Sequence, residues 1–324
     1  MTTSTPEFYR PFDSNDFFYE RCFLCGEDLN VENSSEEHIF PKWLQHKFNL
    51  WNQSLIIINN TQIQYRFLTI PCCKACNNVY LSKMEEHFKR LLDNNFQNLT
   101  SDDEKVIFQW TAKLLYGSTY KELSLSLDRR MPQLGNIMRP EIVEGYSTLH
   151  LFLQSIRIPT VFIEPYPWSI FIFQYDNENF HYTNDYTNLC LSIKLGKVGI
   201  VIVFEDNKAV ENYLSLMKGL YNYPLNHLQF LEVTSRIFYA KSLALNVSNY
   251  MTHYHMTSKE MQVRSLNSLR SKDWNDEEYA LVLESLMERE GITVGRPIYN
   301  NGTINTFLVD ENDELYVHKI KNGS

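Results

Sequence analysis

The chain of 324 residues lacks an apolar run long enough to cross a bilayer as a helix, which takes about 20 consecutive apolar residues. Its most apolar region, 189–204, is broken by Lys194, Gly196 and Lys197, so no membrane partner is expected. The opening Met1-Thr-Thr-Ser-Thr-Pro-Glu has neither the basic residue nor the apolar stretch of an export signal. A reducing, cytoplasmic setting is the expectation, and with it free thiols rather than disulfides. Internal repeats, low-complexity tracts, Gly-rich nucleotide loops and Walker-type Gly-Lys-Ser/Thr sequences are also missing, which argues against an internal ATPase. Positive charge is in deficit, with 30 Lys and Arg against 39 Asp and Glu and a net charge of −9. The chain is therefore no general electrostatic sponge for nucleic acid, and any such binding must be local.

Against these absences stand six cysteines, four of them in two Cys-X-X-Cys pairs, Cys22/Cys25 and Cys73/Cys76. Each pair can grip one edge of a tetrahedron from a tight turn, the arrangement that suits a closed, structural Zn²⁺ site. Gly26 permits such a turn after Cys25. Cys72 is an alternative ligand with one residue more in its spacing, and Cys190 sits alone in an apolar strand. No βαβ pattern surrounds either pair, so a redox role is the weaker reading. Between the pairs runs Glu36-Glu37-His38-Ile39-Phe40-Pro41, a strand pattern ended by proline. Lys42 to Phe48 follows as a short helix or loop, and 55–58 and 64–70 have strand composition about an Asn59-Asn60 turn, with the second strand ending at Pro71. From Cys73 onward Val79, Met84, Phe88, Leu91 and Leu92 recur at helical spacing, with Asn77 at the helix start.

Taken together, Cys-X-X-Cys, Glu-His-Ile-Phe-Pro-Lys-Trp-Leu and Pro-Cys-Cys-Lys-Ala-Cys-Asn-Asn resemble the four-cysteine subgroup of the HNH endonucleases, also called ββα-metal or His-Me finger nucleases. The resemblance covers residues 20–92, and Leu81 to Glu85 and Gln109 to Lys113 are similar to a bacterial subset of the family. It implies that His38 is the general base activating water. It implies that Glu37 and Asn77 hold a catalytic Mg²⁺ or Mn²⁺ through oxygen atoms, with Glu36 and Asn78 as alternates. It further implies cleavage of nucleic acid, DNA foremost, leaving a 5′-phosphate and a 3′-hydroxyl, in a setting such as host defence. The family's middle asparagine has no assigned counterpart, Asn59 and Asn60 being the nearest candidates. A noncatalytic zinc module that binds nucleic acid or a protein partner is the competing reading.

The expected fold class is α+β: a zinc-stabilised ββα-metal unit over 1–98, an α+β accessory domain over 99–250 and a helical and strand extension over 251–324. In the remainder Ser101 begins a capped helix that Gly117 ends, and a helical stretch covers 142–156. Segments 160–163, 168–175, 189–194 and 198–204 read as four strands of one sheet. Helical patterns occupy 207–220, 225–245, 258–269 and 273–289, with strands about an Asn300-Asn301-Gly302 turn in 297–319. His253 and His255 could share a strand face but lack a third metal ligand. His87, Lys83, Lys89 and Arg90 offer phosphate contacts or a solvated helix face. The accessory region leaves room for a protein partner or a homo-oligomer.

Overall fold

The computed structural model describes residues 8–11, 19–139, 142, 145–293 and 297–308. In chain order its elements are strand β1 (Ser34–His38), helix α1 (Lys42–Lys47), β2 (Ser54–Ile56), β3 (Gln62–Gln64), β4 (Thr69–Cys73), α2 (Ser82–Asp93), α3 (Ser101–Leu123), α4 (Ser147–Leu153) and β5 (Thr160–Ile163). They continue as β6 (Trp168–Gln174), β7 (Phe180–Asp185), β8 (Cys190–Leu195), β9 (Val198–Phe204), α5 (Ala209–Tyr213), α6 (His227–Ser242), β10 (Tyr250–His255), β11 (Glu260–Ser265), α7 (Asp276–Arg289), β12 (Tyr299–Asn300) and β13 (Thr303–Ile304). The fold is mixed α+β with antiparallel strand pairs. No helix among the described residues is long and apolar enough to cross a membrane.

Two compact units result, 1–163 with 252–263 and 164–251 with 264–324, rather than breaks at 98 and 250. The first break moves because α3 belongs with the hairpin it covers. Thr100 and Asp103 form a reciprocal capping box at its start, satisfying two of the orphan amides there. The helix then runs through Gly117, where a terminus was expected, to Leu123. Gly117 is there for close approach: a Cβ would lie 3.2 Å from Ile39 Cγ1 and 3.3 Å from Ile70 Cδ1. Gly117→Leu should therefore cost about 1–3 kcal/mol by overpacking. Chemical unfolding checks this, and a variant as stable as the parent would remove the close-packing argument.

In this unit β1 and β4 pair antiparallel, with Glu37 opposite Ile70 and His38 opposite Thr69. The strand expected to stop at Pro71 continues to Cys73, and the stretch before it coils into a 3-10 turn over Tyr65–Phe67. Proline is tolerated in β4 because a two-stranded sheet is all edge. The following helix opens with a π turn, Cys76–Leu81, in which Ser82 N–H bonds Asn77 O. That wider turn shifts the helical phase, so Met84, Phe88 and Leu92 are buried whereas Val79 is exposed. Segment 258–269, expected helical, instead forms β11 in a three-stranded sheet of order β10-β11-β5.

The second unit is built on the sheet β6-β9-β8-β7, in which β5 has no part and β7 is an unanticipated strand. Every residue of β9 is buried, and α6 supplies Phe230, Val233 and Ile237 to the core with Phe171 and Phe173 of β6. Helix α7 buries Tyr279, Leu283 and Met287 against Leu231 and Tyr239 of α6. The β12–β13 hairpin turns at Asn301 and Gly302, both at positive φ. The strands expected beyond residue 308 lie outside the described residues.

Candidate functional site

Local backbone chemistry builds the first cysteine pair into a tight knuckle. Cys22 N–H donates to Glu27 O and Gly26 N–H to Cys22 O, each at 2.9 Å. Gly26 has φ +75°, and a Cβ there would collide with the Tyr9 ring at 2.2 Å. Phe23 N–H bonds Pro71 O at 2.9 Å, fastening the knuckle to β4. From α4, His150 Nε2 lies 2.8 Å from Phe23 O, and from the turn that follows α4 Gln154 Nε2 donates to Leu24 O at 2.7 Å. These two braces were not anticipated, although a polar i, i+4 pair on an otherwise apolar helix face was available as a signal.

The second pair comes from the end of β4 and the first residue of the π turn. Cys22, Cys25, Cys73 and Cys76 bring their sulfur atoms within 4.8 Å of one another, so the four can hold a metal ion such as zinc. Cys25 and Cys73 are 3.7 Å apart, matching the roughly 3.8 Å edge of a tetrahedron with Zn–S bonds of about 2.3 Å. Burial pushes the Cys73 thiol up to about 12, and the neighbouring Cys22 sulfur raises Cys25. A bound divalent cation reverses that penalty, since coordinated thiols ionise outright. Cys72 is buried 3.9 Å from Cys22 Sγ but is not one of the four.

His38 ends β1, half-buried, with Gln45 Nε2 at 3.4 Å from its Nδ1 and the Trp51 ring at 6.0 Å. Gln45 is itself fixed by donating to Phe40 O at 2.7 Å. Burial, reinforced by the Lys42 and Lys113 charges, lowers His38 to about 4, and burial does the same to His150. Both imidazoles are therefore neutral at cellular pH. The sign follows: their contribution to stability is complete above the unfolded value near 6.5 and is lost as pH falls through about 4. A histidine-resolved NMR titration should show His38 still neutral at pH 6, whereas titration centred near 6.5 would contradict this environment.

Adjacent strand residues face opposite sides, so Glu37 turns away from the His38 ring. It is 5% exposed, and its Oε1 pairs with the ammonium of Lys113 on α3. The same ammonium bonds Glu85 Oε1 at 2.8 Å and His38 O at 2.9 Å. Burial pushes Glu37 up to about 7 against the opposing Lys113 charge, while the two carboxylates hold Lys113 up at about 12. Glu85 of α2 is thereby partly buried against α3. Asn77 Nδ2 donates to Ser35 Oγ at 2.8 Å and to Glu36 O at 3.1 Å, tying the π turn to β1. Asn78 is exposed.

The donor set implied for a catalytic Mg²⁺ or Mn²⁺ does not fit this arrangement. A divalent ion at the Glu37 carboxylate would sit against a buried ammonium. Asn59 serves a turn, accepting from Thr61 N–H and donating to Leu127 O. His87 pairs with Asp103 at 2.7 Å. The His253 and His255 rings are 4.5 Å apart, yet among the described residues they join no group of three potential metal ligands. Comparison of the chain with protein-family models, curated proteins and solved structures gives no match.

Proposed function

We propose that the chain is an endonuclease of the HNH kind that hydrolyses phosphodiester bonds in nucleic acid, DNA foremost, with His38 as general base. One observation carries this reading. His38 ends the first strand of a hairpin whose second strand leads directly into a helix, and four thiols clamp that junction. In this account zinc is scaffold. It fixes β4 and the π turn, and through them the backbone that carries His38. A neutral imidazole can take a proton from water attacking a phosphodiester. Its low basicity in the free protein is countered when a phosphate anion lies beside it, because nearby negative charge favours the protonated ring.

The alternative, a noncatalytic zinc module for nucleic acid or a protein partner, draws on a specific observation: Glu37, expected to bind a catalytic cation, is ion-paired with Lys113. Incubating the purified chain with duplex DNA, single-stranded DNA and RNA in Mg²⁺ or Mn²⁺, beside a binding measurement on the same substrates, separates the two. Strand scission is the expected result. Binding with every strand left intact favours the module.

A further inference from the structure

Lys113 is completely buried in the middle of α3, where an unpaired ammonium would be strongly disfavoured. Its three protons meet three oxygen acceptors: Glu37 Oε1 and His38 O from β1, and Glu85 Oε1 from α2. Two carboxylates and a backbone carbonyl are the donors that hard divalent cations select. Here a side chain of the protein fills the place. Because His38 O is one of the three acceptors, the ammonium also fixes the peptide that sets the direction of the His38 ring. The spacing on α3 matches this use: Lys113 and Gly117, four residues apart, lie on one helix face and meet Glu37 of β1 and Ile39 just past its end.

We propose that the Lys113 ammonium is the resident cation of this oxygen cage and a positioning group for His38, and that Glu37 serves the ammonium instead of a divalent ion. The inference rests on the nuclease reading only in giving His38 its importance. The cage itself is independent of any cleavage.

The test uses the full chain and Mn²⁺ alone as probe, followed by electron paramagnetic resonance. Glu37→Gln, which keeps an oxygen acceptor for Lys113, should leave the number of bound Mn²⁺ ions unchanged and their Kd within about twofold. Loss of a site, or weakening by tenfold or more, overturns the proposal. Lys113→Ala empties the cage and should gain one Mn²⁺ site that disappears again in the Lys113→Ala/Glu37→Gln double variant. With diamagnetic Mg²⁺, the His38 imidazole resonances, displaced in Lys113→Ala, should return toward their parental positions. A folded Lys113→Ala protein that gains no ion, or whose His38 signals never moved, overturns the proposal. If Lys113→Ala does not fold, the Glu37→Gln comparison decides alone. None of these readouts requires cleavage, so an inactive protein can carry the cage and an active one can lack it.

Discussion

Removing metal from the four cysteines, by chelation or by Cys76→Ser, is expected to unfold the segment that carries His38. The reason is that α3 and α4 brace the segment from outside, whereas among the described residues the four thiols alone join the knuckle to the start of the π turn. Strands β1 and β4 form a sheet of two, too little for independent stability, and the Cys22–Gly26 knuckle is short and rich in backbone turns. Zinc in a site of this kind contributes on the order of 10 kcal/mol, coupled directly to folding. Without it, four thiols remain crowded within 4.8 Å, three of them buried, with no cation to hold them together. Metal analysis should find one zinc per chain. Hydrogen exchange after chelation should deprotect β1, β4 and the π turn far more than β6 to β9, which draw on a separate core. A metal-free protein with unaltered protection across β1 and β4 would contradict the scaffold role.

His38→Ala should lower cleavage by about 10²- to 10⁴-fold, the usual contribution of a positioned base, with little change in fold. The side chain is half-buried, with one long polar contact to Gln45 and the Trp51 ring nearby, so its truncation leaves no buried donor or acceptor in a tight network. Zinc content and unfolding midpoint should therefore match the parent, and substrate binding should be retained, placing the loss in turnover. A His38→Ala protein that cleaves at the parental rate would remove the histidine from the mechanism while leaving the zinc argument intact. Gln45→Ala should act in the same direction but more weakly, since it positions the ring without touching the reacting atoms.

Much of the candidate site was legible because its signals are local. Cysteine spacing gave the four-thiol cluster, Gly26 gave the knuckle turn, and the Asn77 position gave the start of a helical segment. The partners of those residues were not legible, because they come from distant sequence. Lys113 meets Glu37 across 76 positions and His150 meets Phe23 across 127. A charged residue embedded in the apolar run Trp110 to Leu115 was the available hint that α3 is buried on all sides. Periodicity failed where the backbone left its standard helix, as at the π turn that exposes Val79. It also failed at 258–269, where buried Met261 and Val263 alternate with less buried residues, as a strand requires. That short alternation was outweighed by a helical reading, although β11 pairs both with the neighbouring β10 and with β5, about a hundred residues earlier. Gly117 misled in the opposite direction: a residue that commonly ends helices here lets α3 approach Ile39 and Ile70.

The most direct measurement of the central claim is the chemistry of the product ends after single-turnover incubation of the zinc-loaded chain with end-labelled DNA and RNA in Mg²⁺ or Mn²⁺. Water activated by His38 predicts internal scission with 5′-phosphate and 3′-hydroxyl termini. Substrates that stay intact while bound, or products ending in 3′-phosphate or cyclic phosphate, would contradict it.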